Sequence, residues 1–218
     1  MIFLLKLSLF LSAALCFSSD FSVYFYGGLQ GANSSHVTGE DPGPGGVGSF
    51  SFKSEWEGRS FRDPFYYGLR AHYWLKPSLA LSLDFTHSKI YSTKKTLLDN
   101  NLKTIEFTDG INTLTLSALI NKSVYKNIFA YIALGAGVSI PKIEFQSAAA
   151  TYRTFYFHLG GVVAQLQFGV EKKMANGFSL FTEYVLNYHK MDVKLVKQGN
   201  LQTQFLSHAL NFGFGYGF

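Results

Sequence analysis

The chain ends in LSHALNFGFGYGF, residues 206–218. Even-numbered positions in this stretch carry leucine, phenylalanine or tyrosine, with His208 as the exception, and odd-numbered positions carry serine, alanine, asparagine or glycine. A period of two predicts a β-strand with one face suited to lipid and the other to a narrow polar interior. Because its last residue is also aromatic, this strand predicts a bacterial outer-membrane β-barrel.

Residues 1–19 are predicted to be a cleaved signal peptide. They contain a single basic residue, Lys6, an apolar run over 7–17 and two small residues, Ser18 and Ser19. This is the composition of a secretory signal, and the apolar run is too short for a spanning helix. One barrel domain over 20–218 is therefore expected.

The composition is that of a barrel and not of a typical soluble domain. The chain has 22 Phe, 13 Tyr and 21 Gly, and only 15% of its residues are charged. No later apolar run is long enough for a membrane helix. The only cysteine, Cys16, lies in the signal, so residues 20–218 have no thiolate. A lipid anchor on Cys16 is the alternative, although Leu15 is an unusual residue before a modified cysteine.

Alternation and turn residues predict eight antiparallel strands, the smallest common outer-membrane barrel. Short turns belong on the periplasmic side of such barrels and long loops outside, which places both termini in the periplasm. The strands are predicted over 21–33, 64–75, 79–91, 111–120, 128–140, 155–171, 178–190 and 204–218. The long loops are predicted over 34–63, 92–110, 141–154 and 191–203.

The tight turn 76–78 fixes the register of two strands. A hairpin symmetric about Pro77 places Arg70 opposite Asp84 on the interior face. We interpret this pair as a structural plug, with a catalytic pair as the alternative. Other residues, most of them polar, are also expected inside, which predicts a filled interior without a diffusion pore. They are Tyr66, Gly68, Thr86, Ser88, Gln165, Gln167, Glu171, Glu183 and Asn187.

His87 has the outward parity of Phe85 where its strand leaves the bilayer. It is either an interfacial histidine or the start of a loop, or it contacts the head group of an outer-leaflet lipid. His158 and His208 share this outward parity. Basic residues in or beside the loops would attract the phosphates of lipopolysaccharide. They are Arg59, Arg62, Lys89, Lys94, Lys95, Lys103, Lys142 and Arg153.

Two loop segments offer candidate site residues. Trp56, Glu57 and Arg59 combine an aromatic ring with charged groups, as sugar-binding sites do, with a strand extension as the alternative. Glu106 and Asp109 return toward Asn112, beside His87. Such a set would hold a divalent cation or supply a general base, unless it is an ordinary solvated loop.

Several segments resemble the outer-membrane lipid A oxidases of α-proteobacteria, within the small OmpA/OmpX-like barrels. The likeness runs from about 21 to 218 and is most specific in the first half. It is carried by VTG at 37–39, WEGRSF at 56–61, YYGLR at 66–70, LDFTHSK at 83–89 and EFTDGIN at 106–112.

The resemblance implies oxygen-dependent conversion of the proximal glucosamine of lipid A to 2-aminogluconate, with peroxide as by-product. Such a reaction needs a base for the hydroxyl proton and a route for two electrons to oxygen. The candidate bases are His87, Glu57 and Asp109. The cofactor is unknown, and a divalent metal on His36, His87 and carboxylates such as Glu106 is one hypothesis. The substrate-binding candidates are Trp56, Arg59, Lys89 and Asn112.

Two other functions compete with the oxidase. One is a non-catalytic structural or surface barrel. The other is a lipid A deacylase using a His/Ser/acid set, which His87 and Ser88 suggest although adjacent strand residues point to opposite sides. The expected partners are lipid A, the outer-membrane bilayer and the barrel assembly machinery. We expect a monomer that does not bind nucleic acid.

Overall fold

The computed structural model describes residues 20–218, apart from the side chains of Thr108 and Asp109. The predicted signal peptide lies outside this range. A 3-10 turn, Ala175–Gly177, and one short helix, α1 (Lys94–Asp99), accompany the strands in the described part of the chain. The strands are β1 (Phe21–Ala32), β2 (Ser35–Asp41), β3 (Gly48–Ser54), β4 (Trp56–Glu57), β5 (Tyr67–Lys76), β6 (Leu79–Ser92), β7 (Leu102–Tyr125), β8 (Ile128–Ser147), β9 (Thr154–Phe157), β10 (Gly161–Lys173), β11 (Phe178–Lys194) and β12 (Asn200–Gly217).

Eight long strands form the barrel wall in the order β1, β5, β6, β7, β8, β10, β11 and β12, and β12 pairs in turn with β1. Every pairing is antiparallel. Arg70 faces Asp84 and Gly68 faces Thr86. The predicted eight-stranded transmembrane β-barrel and its register about Pro77 are therefore confirmed.

Among the described residues, no helix has the length and apolarity needed to cross a bilayer.

Part of the barrel wall has apolar side chains outside and polar ones inside. On β12, Leu210, Phe212 and Phe214 are exposed, whereas Asn211 and Ala209 are buried. The same alternation runs around the wall, as lipid-facing strands require. All five predicted interior residues of β10 and β11 are buried: Gln165, Gln167, Glu171, Glu183 and Asn187.

The predicted long loops are largely strand, which corrects the sequence analysis. β7 already begins at Leu102, β8 continues to Ser147, and only 195–199 separate β11 from β12. The strand predicted over 155–171 is interrupted between β9 and β10. The barrel wall thus continues beyond the lipid-facing part. We call this continuation the extension, and it comprises residues 35–57, 90–107, 142–157 and 191–205.

The extension has an apolar interior of its own. The β2–β3 hairpin pairs with β12, and its Phe50 ring stacks on Phe145 with centroids 5.4 Å apart. Asp41 accepts hydrogen bonds from Ser147 and Tyr152, at 2.5 and 2.7 Å, which hold the hairpin to the opposite wall. The buried cluster includes Val37, Phe52, Trp56, Ile90, Leu102, Ile105, Phe107, Ile143, Phe145, Val193, Leu201 and Phe205.

Candidate functional site

The interior of the lipid-facing part is filled by an ion network. Arg70 contacts Asp84 at 2.9 Å and Glu183 at 2.6 Å, and all three side chains are buried. The hydroxyls of Tyr26 and Tyr131 donate to these carboxylates, each at 2.7 Å. The cavity beside Arg70 measures about 10 Å³, room for about one water molecule. This geometry supports a structural plug because each of the three charges has hydrogen-bonded partners and the adjacent cavity is small.

A second polar cluster lies on the outer face of the barrel, where the extension begins. His87 on β6 faces Tyr67 on β5 and Asn112 on β7. We call His87, Asn112, Tyr67 and Gly110 the rim site. Its position follows from alternation, because His87 shares the outward parity of the exposed Leu83.

The imidazole of His87 is held on two sides. Its Nδ1 lies 2.8 Å from Oδ1 of Asn112, and its ring stacks on Tyr67 with centroids 5.3 Å apart and planes 21° apart. An amide oxygen only accepts hydrogen bonds, so in the neutral ring Nδ1 carries the proton and Nε2 is an acceptor. Nε2 is buried and has no hydrogen-bond partner in the described part of the chain.

A wide bulge in β7 covers His87. Ser88 pairs with Ile111, but Ile90 pairs with Phe107, so three residues of β7 oppose the single residue Lys89 of β6. Gly110 in this bulge has φ +103° and sits so close to the His87 ring that a Cβ there would overlap it. Both the positive φ and the close approach to the ring require glycine at this position. The bulge explains why His87 faces outward and yet is only 6% exposed.

Two predicted site residues lie in or opposite this bulge. Lys89 is 1% exposed; its Nζ donates to the carbonyl of Arg62, and its own carbonyl accepts from Gln30. As a correction, its ammonium is a buried structural group and not an exposed substrate ligand. The backbone of Asp109 belongs to β7, but its side chain lies outside the described residues.

A row of charged and aromatic side chains crosses the extension above the rim site. Glu57 pairs with Tyr91, Tyr91 with Glu106, and Glu106 with Glu144. Arg59 contacts Glu57 at 3.0 Å and lies over the Tyr91 ring at 4.4 Å. Arg59 and Glu57 are thus both on the surface, as a sugar- or phosphate-binding role requires.

The electrostatics of this row centre on Glu106. Burial raises the pKa of the Glu106 carboxyl, and the charge of Glu144 raises it further. Arg59 and Arg62 oppose this shift. Arg59 and Arg62 therefore partly offset the negative charge of the neighbouring carboxylates.

Trp56 has a different role from the one predicted. It is 8% exposed, and its indole nitrogen donates to Ser35 at 2.8 Å inside the extension. Its ring packs against Phe107 and Phe205, with centroids 6.0 and 6.4 Å away. Alternation along β4 turns Glu57 outward and Trp56 inward, so Trp56 is a core residue unavailable for stacking on a sugar. The alternative reading, a strand extension, describes this segment better.

The structure does not bring the proposed metal ligands together. His36 lies on β2, which pairs with β3 and β12, whereas Glu106 lies on β7, which pairs with β6 and β8. His36 instead lies 2.9 Å from the hydroxyl of Ser51. Within residues 20–218, so far as side chains are described, no three His, Cys, Asp or Glu residues are grouped to hold a metal ion.

Tyr67 and Gly110 of the rim site, and Tyr91 of the row above it, were not singled out in the sequence. Tyr67 could have been found, because the register about Pro77 that pairs Arg70 with Asp84 also pairs Tyr67 with His87. Tyr91 carries Arg59 on its ring, but no pattern in the sequence links these residues. Their contact depends on the pairing of β4 with β6. The sequence around β4 has the composition of a loop and therefore does not predict this pairing.

Comparison with solved structures finds small outer-membrane proteins of similar structure. The structure is similar to Neisserial surface protein A, with 14% identity, a TM-score of 0.51 and coverage of 92% of this chain and 98% of that one. It is also similar to the outer-membrane protein OprG of Pseudomonas aeruginosa, with 12% identity, a TM-score of 0.49 and coverage of 90% and 96%. A third, AlkL, has 11% identity, a TM-score of 0.48 and coverage of 91% and 90%.

No protein-family model matches the chain, and no curated protein matches its sequence. At such low identity the similarity to Neisserial surface protein A concerns the fold alone. The chain thus has the fold of small outer-membrane β-barrels, with an apolar band that fits a lipid bilayer.

Proposed function

We propose that this protein binds the head group of lipid A at the rim site and oxidises it, as a lipid A oxidase-like enzyme of the outer membrane. The observation that supports this is the proximity of three separate segments, 56–61, 83–89 and 106–112, on one side of the barrel. Glu57 pairs with Tyr91, Tyr91 pairs with Glu106, and His87 pairs with Asn112. These are three of the segments that resemble lipid A oxidases. Segments of the resemblance that are far apart in the sequence are therefore neighbours in the fold.

The proposal includes an orientation. The turns next to the two termini are short, such as 77–78 and 126–127, whereas the extension lies at the other end. Short turns are periplasmic in outer-membrane barrels. The extension then lies outside the cell, and the rim site lies at the level of the outer leaflet. A monomer, inserted by the barrel assembly machinery, belongs to the same proposal.

The chemistry assigned to the rim site is proton transfer. Nε2 of His87 is the acceptor for the proton of the anomeric hydroxyl, and Asn112 holds the ring in the required tautomer. Gly110 has to move before a hydroxyl reaches Nε2, because the bulge covers it. Arg59 and Arg62 lie beside Tyr91 on the same rim and attract the phosphate of the lipid.

The overall reaction balances with oxygen as the oxidant. The anomeric C–H and O–H bonds lose two electrons and two protons, which reduce O₂ to hydrogen peroxide. The resulting lactone takes up water and opens to the aldonate, so the product is heavier than the sugar by one oxygen. Among the described side chains no three His, Cys, Asp or Glu residues are grouped to hold a metal ion, and no step is assigned to one.

The deacylase alternative receives less support from the geometry. Ser88 points away from His87, and its hydroxyl donates to the carbonyl of Ile111 at 3.3 Å. His189 does lie 3.0 Å from the hydroxyl of Ser207. That pair is buried inside the barrel, stacked under Phe205, and no lipid reaches it there.

The test is mass spectrometry of lipid A from an oxygen-grown Gram-negative host whose lipid A has a free anomeric hydroxyl and that produces the wild type, His87→Gln or Asn112→Ala. The wild type should add one oxygen to the proximal sugar, and both variants should abolish or greatly reduce the product. His208→Gln is the matched control, because His208 is another outward-facing histidine near the rim, and it should retain the product.

Folding of each variant is checked by the heat-dependent gel mobility of barrels. Unchanged lipid A from a correctly folded wild type would contradict the oxidase and favour a non-catalytic barrel. Loss of an acyl chain would favour the deacylase instead.

A further inference from the structure

The outer surface contains a groove at the break between β9 and β10. Neither strand includes residues 158–160, although the amides of His158 and Gly160 still donate to carbonyls of β8. The groove has a volume of about 610 Å³. We call it the lysine groove, and the residues that define it are Val138, His158, Leu159, Val162, Lys190 and Lys194.

Two glycines, Gly160 and Gly161, belong to the lining of this groove. At Gly160 a Cβ would lie 2.6 Å from a methyl carbon of Val193 and 2.9 Å from the His158 ring. Glycine at 160 therefore lets the chain pass close to the buried Val193. The chain still follows β11 at the break, because the amide of Asp192 donates to the carbonyl of Gly160 at 2.8 Å.

The charged lining of the lysine groove consists of two lysines and one aspartate, Asp192. Lys190 and Lys194 are exposed on the outward face of β11, and neither forms an ion pair with the described residues. The one carboxylate between them, Asp192, accepts a hydrogen bond from Gln202 at 3.0 Å. The phenol of Tyr156 donates to the carbonyl of Lys194 at 2.8 Å and steadies that end.

Apolar side chains line the rest of the lysine groove. Leu159 is 68% exposed and Val162 is 58% exposed, and Val138 lies next to Val162 on β8. Lys190 pairs directly with Val162, and Leu159 lies on the Lys194 side of that pair. Two ammonium groups and three apolar side chains thus line one groove. A phosphorylated lipid combines the matching groups, an anionic head group and acyl chains.

We propose that the lysine groove is a binding site for a phosphorylated lipid of the surrounding leaflet, with Lys190 and Lys194 on the phosphate and Leu159, Val162 and Val138 on the acyl chains. The argument is charge complementarity at the apolar boundary, where a lysine near a membrane surface contributes about a factor of five in affinity. The site is separate from the rim site. It rests on the same orientation of the barrel but not on the oxidation chemistry.

The test counts lipids on the full barrel in nanodiscs of phosphatidylcholine by native mass spectrometry. Lipid A with both phosphates is the probe, and lipid A with both phosphates removed is its control. The wild type should retain the phosphorylated form, and the double variant Lys190→Gln/Lys194→Gln should weaken binding at the groove roughly 25-fold. Lys190→Arg/Lys194→Arg should restore it.

The matched control is Lys94→Gln/Lys95→Gln on α1, which removes the same charge from the same end of the barrel. It should leave the lipid count unchanged. Equal retention by the Lys190/Lys194 double variant, or equal retention of the dephosphorylated lipid, would overturn the proposal.

The lipid count also separates this site from the proposed function. If the rim site binds lipid A as well, the wild type holds two molecules, the Lys190/Lys194 double variant holds one, and Arg59→Gln/Arg62→Gln removes the other. A wild type with a single lipid that depends only on Lys190 and Lys194 supports the groove and contradicts binding at the rim. Competition by inorganic phosphate alone, without dependence on acyl chains, would contradict a lipid site.

Discussion

The lipid-facing part of the barrel and the extension use the same strands with opposite polarity. In the lipid-facing part of β11, Glu183 points inward and Tyr184 points outward. Further along the same strand, at the start of the extension, Met191 and Val193 point inward and Lys190 points outward. The strand continues unbroken, and only the chemistry of its two faces changes.

This difference shows which solvent each region meets. In the bilayer the outside must be apolar, and polar side chains are tolerated inside if they are hydrogen-bonded. In water the hydrophobic effect places apolar groups inside, as in a soluble protein. The inversion occurs near His87 on β6 and near Lys190 on β11, and this is where we propose the membrane boundary. Both proposed sites lie at that level, one on β6 and β7 and the other on β10 and β11.

The largest effect is expected from removing the cation inside the lipid-facing part. Arg70→Met leaves Asp84 and Glu183 as buried charges without a counter-ion, so the free energy of unfolding should fall by roughly 3–5 kcal/mol. The measurement is urea unfolding of the barrel in lipid vesicles. The triple variant Arg70→Met/Asp84→Asn/Glu183→Gln should recover most of the loss. A single variant as stable as the wild type would contradict the plug.

A smaller effect is expected from truncating a leucine in the core of the extension. Leu201 is completely buried, and Leu201→Ala should lower the free energy of unfolding by about 3 kcal/mol through lost burial and a cavity. Leu116→Ala is the matched control, because Leu116 faces lipid and is 59% exposed. Equal costs in vesicle unfolding experiments would show that the two regions do not differ as described.

A charge introduced on the outer surface of the barrel is a second test of the same comparison. Leu116→Arg puts a cation on the lipid-facing surface and should cost about 2–3 kcal/mol of unfolding free energy. Leu98→Arg on α1 makes the same change at a residue that is 75% exposed on the extension, where the cost should stay below about 0.5 kcal/mol. Similar costs would place Leu116 in water or Leu98 in lipid.

The smallest effect concerns the pH dependence of the extension. The raised pKa of Glu106 means that the folded state binds its proton more tightly than the unfolded state. Its ionisation therefore destabilises the fold as the pH rises above 4.5. Glu106→Gln should stabilise the protein slightly at pH 7, by less than about 1 kcal/mol, and have no such effect well below pH 4.5.

Glu40→Gln is the control for this prediction, since Glu40 is exposed on the hairpin. Unfolding curves at pH 7 and at about pH 3, well below the ordinary pKa of a glutamate, provide the measurement. A Glu106→Gln variant that loses stability at pH 7 would show that its carboxylate is needed by Arg59 or Arg62.

Much of the lipid-facing fold could be predicted from the sequence. Strict alternation on β12 and the turn at Pro77 give local rules for face and register. The extension could not be predicted in this way, because apolar inward residues such as Ile105 and Phe107 alternate with polar ones in segments also rich in turn residues. Those segments have the composition of loops, and only pairing between distant strands identifies them as barrel wall.

The candidate site was predictable in part. The outward parity of His87 and its closeness to Asn112 follow from alternation and register. The bulge that brings Gly110 onto the His87 ring does not, because it depends on three residues of β7 opposing one of β6. Trp56 shows the same limitation: its position in a core depends on the pairing of β4, which is only two residues long.

The central claim is that the polarity inverts at the level of the rim site, and spin-label accessibility tests it directly. With Cys16 replaced by serine, single cysteines are placed at Leu116, Ile140 and Leu98. Ile140 is the neighbour of Asn112 on β8. Oxygen should dominate the collisions of a label at 116 and a water-soluble nickel chelate those at 98, with comparable rates at 140. A label at 140 that behaves like the one at 116, or like the one at 98, would contradict the claim.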